Sequence, residues 1–243
     1  LPYGSKGVAL QALSAIDLAL WDLAGKAAGK PVYELLGGPV KPDIPVYASA
    51  LHPVGAEKVQ AEAKAYVEEG YQAMKMRFPY GPGHGIAGMR ANEEHVANVR
   101  DAVGDDIEIM ADAYMGWDFL YAKKMVKRLE PYRLAWLEEA FLPDDLNSYA
   151  KLRQETSIPI SGGEHEYTRF GFQQIIEKQA MDIIQPDLRR CGGLSEGRRI
   201  CSLALSNGIT VIPHAYGPTH IHFALAETAI PMIEYFPVPC WDD

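Results

Sequence analysis

Three short apolar runs in this chain each lead to a carboxylate, and the three carboxylates fall at an even step of 26 residues. The runs are Ile109-Met110-Ala111-Asp112, Ala135-Trp136-Leu137-Glu138 and Pro159-Ile160-Ser161-Gly162-Gly163-Glu164. One carboxylate after an apolar run is common. Three at a constant step predict a repeated strand–helix unit whose strands present their ends to one place. That is the geometry of a metal site at the mouth of a parallel barrel.

The rest of the chain supports that repeat. Helical spacing of Leu10, Leu13, Ile16, Leu20 and Leu23 predicts a helix within Gly7 to Leu36, broken at Gly29-Lys30-Pro31 and ended by Gly37-Gly38-Pro39. Strands are then predicted at 46–50, 73–77, 108–112, 135–138, 158–162, 182–185, 210–213 and 232–236. Helices are predicted between them at 56–69, 91–103, 119–129, 146–155, 171–178, 195–207 and 219–228. A Gly/Pro-rich stretch from Pro79 to Gly88 reads as a long substrate loop. Eight strands joined by helical crossovers predict an α/β fold with a closed parallel barrel. An open doubly wound sheet is the rival, disfavoured because functional-looking residues end nearly every strand.

The chain has 243 residues, close to the roughly 250 of a single barrel, and 48% of them are hydrophobic, enough for a sizeable core. A net charge of −9 argues against nucleic acid or an anionic membrane as partner. It leaves an anionic small substrate open, because a bound cation inverts the local field. The three cysteines, Cys191, Cys201 and Cys240, form no CxxC pair, so a reducing cytoplasm is expected. No apolar run reads as long enough to span a bilayer, and the first residues do not resemble a signal peptide.

Alternation along the second strand puts Lys75 and Arg77 on one face and Met74 and Met76 on the other. With the methionines against the outer helices, two cations point inward, where they need partners. An internal salt-bridge layer is the bland alternative. Asp112, Glu138 and Glu164 are the expected partners. Three carboxylates in one pocket require protons or a divalent cation, and an all-oxygen set favours Mg²⁺ or Mn²⁺ over Zn²⁺. Glu139 falls on the opposite face from Glu138 by alternation, which gives it a supporting role. Asp187 and His214 end the sixth and seventh strands, and an imidazole beside a carboxylate is an oriented general base. Glu234 on the last strand closes the set. His165, after a proposed ligand, and His84, in the long loop, are weaker candidates for substrate contact. His220 and His222, two apart on a helix, face different ways and read as bland.

The ordered set Lys75-Met-Arg77, Asp112, Trp136-Leu-Glu138-Glu, Gly163-Glu164-His165, Gln185-Pro-Asp187, Pro213-His214 and Glu234 resembles the enolase superfamily, mandelate racemase subgroup. It is most similar to the acid-sugar dehydratases, closest in look to L-rhamnonate dehydratase-type members. Ser14-Ala-Ile-Asp17-Leu-Ala-Leu-Trp21 and Leu35-Leu-Gly-Gly match the subgroup as well, so the resemblance covers essentially the whole chain. It implies a modified TIM barrel, (β/α)7β, with Asp112, Glu138 and Glu164 on one Mg²⁺. It implies a His214–Asp187 dyad, Glu234 on the carboxylate side of the substrate, and catalytic or substrate contacts from Lys75 and Arg77. Family members also carry an N-terminal α+β capping domain and a C-terminal tail. The expectation is that residues 1–243 are the barrel domain without either.

The activity so implied is Mg-dependent dehydration of an acid sugar to a 2-keto-3-deoxy acid. The partner is a small carboxylate sugar, and a homo-oligomer is expected. Many relatives have Lys-x-Lys on the second strand, whereas this chain has Arg77, whose guanidinium stays protonated. A racemase or epimerase using two bases is therefore the lesser alternative, with a non-catalytic metal-binding barrel beside it.

Overall fold

A computed structural model describes residues 4–237. The elements in chain order are α1 (Val8–Ala28), α2 (Val32–Leu35), β1 (Val46–Ser49), α3 (Ala56–Glu68), β2 (Ala73–Arg77), α4 (Gly85–Val103), β3 (Glu108–Asp112) and α5 (Phe119–Leu129). There follow β4 (Leu137–Glu138), α6 (Leu146–Glu155), β5 (Ile160–Gly162), α7 (Thr168–Glu177), β6 (Ile183–Ile184), α8 (Gly193–Ser206), β7 (Thr210–Val211), α9 (Pro218–Ala226) and β8 (Ile233–Tyr235). Strands β1 to β5 pair in parallel in chain order, and β6 pairs in parallel with β7. This is the α/β alternation that the sequence predicts.

The chain falls into two compact units. One comprises, among the described residues, Tyr47–Ser161, Ala180–Asp182 and 235–237. In it β2 pairs in parallel with β3 along its whole length, matching Lys75 with Met110 and Arg77 with Asp112. Asp112 is matched in turn with Glu138 on β4. Met74 and Met76 are fully buried, which stabilises β2 by about 1.5–3 kcal/mol per side chain. Helix α5 buries Tyr121, Ala122, Met125, Val126 and Leu129, an i, i+4, i+8 stripe. It starts at Asp118, whose side chain accepts the Tyr121 N–H.

In the same unit the predicted long loop is corrected. A 3₁₀ turn covers Pro82–His84, and α4 begins at Gly85 rather than at Ala91. The glycines read locally as breakers, but Gly88 is buried in the first turns of α4, where a Cβ would lie 2.5 Å from that of His84. Packing of Met89 and Asn92 overrides the local signal.

The other unit comprises, among the described residues, 4–46, Gly162–Gln179 and Ile183–Glu234. Its core includes Leu10, Phe172, Ile175, Ile184, Leu194, Ile200 and Phe223. The helix predicted from spacing forms as α1, in which Leu10 is buried, while Leu13, Ile16, Leu20 and Leu23 are exposed. Their periodicity marks a helix without marking which side is covered. Helix α1 is also long and apolar enough, by length and composition, to cross a membrane. That corrects the expectation of no such run. Its polar residues Ser14, Asp17 and Trp21 are engaged by α8 and the loop before it, which fits a helix packed on its own unit better than one in lipid.

Candidate active site

Each unit carries a cluster of strand-end residues. In the first, Lys75 is 1% exposed, and its Nζ donates to Glu138 Oε1 at 2.5 Å. The second Glu138 oxygen accepts the Trp136 indole N–H at 3.0 Å. Tyr47 lies under the ammonium, with its ring centroid 5.6 Å from Nζ. One residue pair further along, Arg77 Nη1 donates to Asp112 Oδ2 at 2.7 Å, and Asp112 Oδ1 accepts the Tyr114 N–H at 2.8 Å. The inward cations therefore have the carboxylate partners that burial demands.

Charge balance in this cluster is strained. Burial, and next Glu138, push the Asp112 carboxyl up to about 7, against the opposing pull of Lys75, Arg77 and the Tyr114 N–H. Glu139 requires a correction. It follows the last residue of β4 with φ +42, so strand alternation stops at Glu138 and cannot assign a face to its neighbour. Glu139 is buried and raises the pKa of Tyr149, second only to burial itself.

In the second unit, Gly163 precedes Glu164 with φ +114, and a Cβ there would lie 2.9 Å from the Phe172 ring. Glycine alone fits, and it swings Glu164 out of the strand. Glu164 Oε1 accepts Arg190 Nη1 at 3.1 Å, and Oε2 lies 3.0 Å from His214 Nδ1. The same His214 nitrogen lies 3.0 Å from Glu234 Oε2, which also accepts the Ala215 N–H at 2.7 Å. Asp187 is fully buried. Its Oδ1 accepts the Arg189 N–H at 2.8 Å, and its Oδ2 lies 3.4 Å from Arg190 Nε.

The structure thus brings Lys75, Arg77, Asp112 and Glu138 together in one unit, and Glu164, His214 and Glu234 together in the other. His214 lies against Glu164 and Glu234, and Asp187 lies against its two following arginines and His220. His165 Nε2 stands 3.6 Å from Glu164 Oε1. His84 is exposed, with contacts to Gly81 and to the Tyr80 ring. Sequence reasoning missed Arg190. A cation three residues after a strand-end aspartate was the available signal.

His220, bland by its sequence position, is buried with Nε2 3.9 Å from Asp187 Oδ1. Burial pushes it down to about 4. His222 faces another way and packs on the Tyr33 ring.

Several strand-end residues are followed by non-glycine residues in the left-handed region: Tyr114 and Met115 after Asp112, Glu139 after Glu138, Ala215 after His214. Such conformations cost about 1–3 kcal/mol each and concentrate at sites whose geometry matters more than local stability.

Residues 58–242 match the family described as Enolase C-terminal domain-like, and residues 4–37 match Mandelate racemase / muconate lactonizing enzyme, N-terminal domain. The L-rhamnonate dehydratase of Saccharopolyspora erythraea is 39% identical over 237 residues, 97% of this chain and 58% of the relative. A putative L-rhamnonate dehydratase of Caldivirga maquilingensis is 38% identical, over 97% of this chain and 57% of the relative. The chain therefore spans less than two thirds of the length of these relatives. The crystal structure of rhamnonate dehydratase from Gibberella zeae complexed with Mg matches with a TM-score of 0.87 and 37% identity, over 96% of this chain and 55% of that one.

Proposed function

Since the chain belongs to the enolase superfamily, in its mandelate racemase/muconate lactonizing enzyme family, with the barrel-type α/β fold of that family, we propose that it dehydrates an acid sugar. The substrate would be an L-rhamnonate-like aldonate or an aldarate, and the product a 2-keto-3-deoxy acid. The observation that carries this reading is His214, 13% exposed, with Nδ1 3.0 Å from both Glu164 and Glu234. An imidazole with carboxylates beside Nδ1 presents Nε2 as the nitrogen that would take a proton.

In this reading His214 Nε2 takes the proton alpha to the substrate carboxylate. The electron pair passes into the carboxylate as an ene-diolate. That pair returns to expel the β-hydroxyl, which leaves as water with the proton from His214, and the enol tautomerises. Lys75 and Arg77 hold substrate oxygens. Arg77, paired to Asp112 and always charged, cannot serve as the second base of a racemase. His165, His84 and Glu234 are the further substrate contacts.

Asp112, Glu138 and Glu164 would hold Mg²⁺, with Mn²⁺ a substitute. The donor set fits: all three are buried, all offer oxygen, and Asp112 is held far above a usual carboxyl by burial and by Glu138. When bound, the cation supplies positive charge against the charge that develops on the substrate carboxylate. The reading includes a homo-oligomer in the cytoplasm.

The test is formation of 2-keto-3-deoxy product from a panel of acid sugars with Mg²⁺, repeated with His214→Asn. Turnover that requires metal and disappears in the variant supports it. Metal binding without turnover on any acid sugar overturns it.

A further inference from the structure

Helix α8 begins directly after the loop that carries Asp187, Arg189 and Arg190, and its N-cap residue Gly192 offers no side chain to the first-turn N–H groups. Those groups need acceptors. Helix α1, nearly 180 residues earlier in sequence, supplies them. Asp17 Oδ2 accepts the Ser195 N–H at 3.0 Å, and Ser14 Oγ, fully buried, accepts the Gly192 N–H at 2.9 Å. Trp21 Nε1 donates to Ser195 Oγ at 2.9 Å.

The fit is close on the backbone side too. Gly193 has φ +81, and a Cβ there would lie 2.4 Å from Asp17 Oδ2. Within the loop, the Asp187 carbonyl accepts the N–H groups of Arg190 and Cys191 at 2.9 and 2.8 Å, which closes a turn over residues 187–191. The loop that carries Asp187 and Arg190 is therefore folded on itself, and α1 holds the end that leads into α8. The same helix and the turn before it also reach the loop after Glu164. Lys6 Nζ pairs with Glu166 Oε2 at 2.9 Å, and Gln11 Nε2 donates to the Tyr167 hydroxyl at 3.1 Å.

We propose that α1 braces the loops that follow β5 and β6, with Asp17 as the positioning residue for the one that carries Asp187 and Arg190. Asp17 touches neither Asp187 nor Arg190; it acts through the first turn of α8. The consequence for turnover rests on the dehydratase reading, whereas the consequence for the loop does not.

The test compares amide hydrogen exchange across residues 188–196 in the parent, Asp17→Ala, Asp17→Asn and Ser14→Ala, with the β3 amides as an internal standard. Asp17→Ala should accelerate exchange in that segment about tenfold or more relative to β3. Asp17→Asn keeps an oxygen acceptor for the Ser195 N–H and should restore most of the protection. Ser14→Ala, a milder change, should loosen Gly192 alone. In the activity arm, kcat on the acid sugar should fall about tenfold in Asp17→Ala and recover in Asp17→Asn, as expected for a misplaced site loop. Acceleration spread evenly over all amides, or an Asn variant no better than Ala, overturns the proposal. If the parent itself turns over no acid sugar, the dehydratase reading falls, and the exchange arm still decides whether α1 is a brace.

Discussion

Lys75 and Glu138 form an ion pair at 2.5 Å in which each side chain is 1% exposed. Such a pair is not by itself a source of stability, since desolvating two charges cancels most of their attraction. Breaking it is another matter. Lys75→Met leaves Glu138 buried with only the Trp136 N–H and its remaining neighbours, and should destabilise the protein by about 3–5 kcal/mol. The double variant Lys75→Met/Glu138→Gln should recover part of that loss. Chemical denaturation of the four proteins in the cycle measures it, and strictly additive losses would refute the coupling.

The buried imidazole of His220 makes stability depend on pH. Its folded pKa, about 4, lies below the unfolded value near 6.5 because burial penalises the cation more than Asp187 favours it, with Arg189 and His214 opposing charge as well. Below pH 6.5 the unfolded chain takes up a proton that the folded protein refuses until about pH 4. The contribution is fully present above 6.5 and is lost as pH falls to 4, up to about 3 kcal/mol. Asp112, raised to about 7, slopes the other way over much of the same range. The informative quantity is therefore the difference between parent and His220→Gln in urea midpoints from pH 4 to 7. A constant difference would show that His220 does not titrate as described.

Divalent metal should stabilise the protein through its oxygen donors. A ligand that binds only the folded state adds about 2.7 kcal/mol when it is present at 100 times its Kd. Mg²⁺ is expected to raise the Tm accordingly. Asp112→Asn should abolish most of the rise, because it removes a charge that burial and Glu138 already strain. A variant that keeps the full Mg²⁺ response would remove Asp112 from the ligand set.

The Tyr80 carbonyl accepts from Asn92 Nδ2 at 2.9 Å, Trp117 Nε1 at 2.9 Å and the Tyr121 hydroxyl at 3.4 Å. These donors fasten the segment between β2 and α4. Asn92→Leu should cost about 1 kcal/mol, the net worth of one hydrogen bond, since Trp117 still satisfies the carbonyl. Thermal denaturation measures it, and Trp117→Phe in the same background should cost more than Trp117→Phe alone.

Much of this protein was legible along the chain. An apolar run ending on Asp112, Glu138 or Asp187 is a local pattern, and a period of two with alternating helices needs no partner to be read. The same holds for Lys75 and Arg77 on one face of β2, because the pleat is a property of the strand itself. The family resemblance followed from the order of these strand ends.

Tertiary structure decided what local pattern cannot carry. Helix α1 was predicted from spacing, but whether Leu13, Ile16, Leu20 and Leu23 are covered depends on what packs against them, and they are exposed. The start of α4 at Gly85 came from the packing of Met89 and Asn92 against a local glycine signal. Alternation failed at Glu139 because a single left-handed residue ends the pleat. His220 and His222 share one helix, yet only His220 is buried beside Asp187. Asp17 caps a helix nearly 180 residues away. Periodicity records which groups a segment offers, and only the fold brings a partner within the few ångströms over which hydrogen bonds, ion pairs and close packing act.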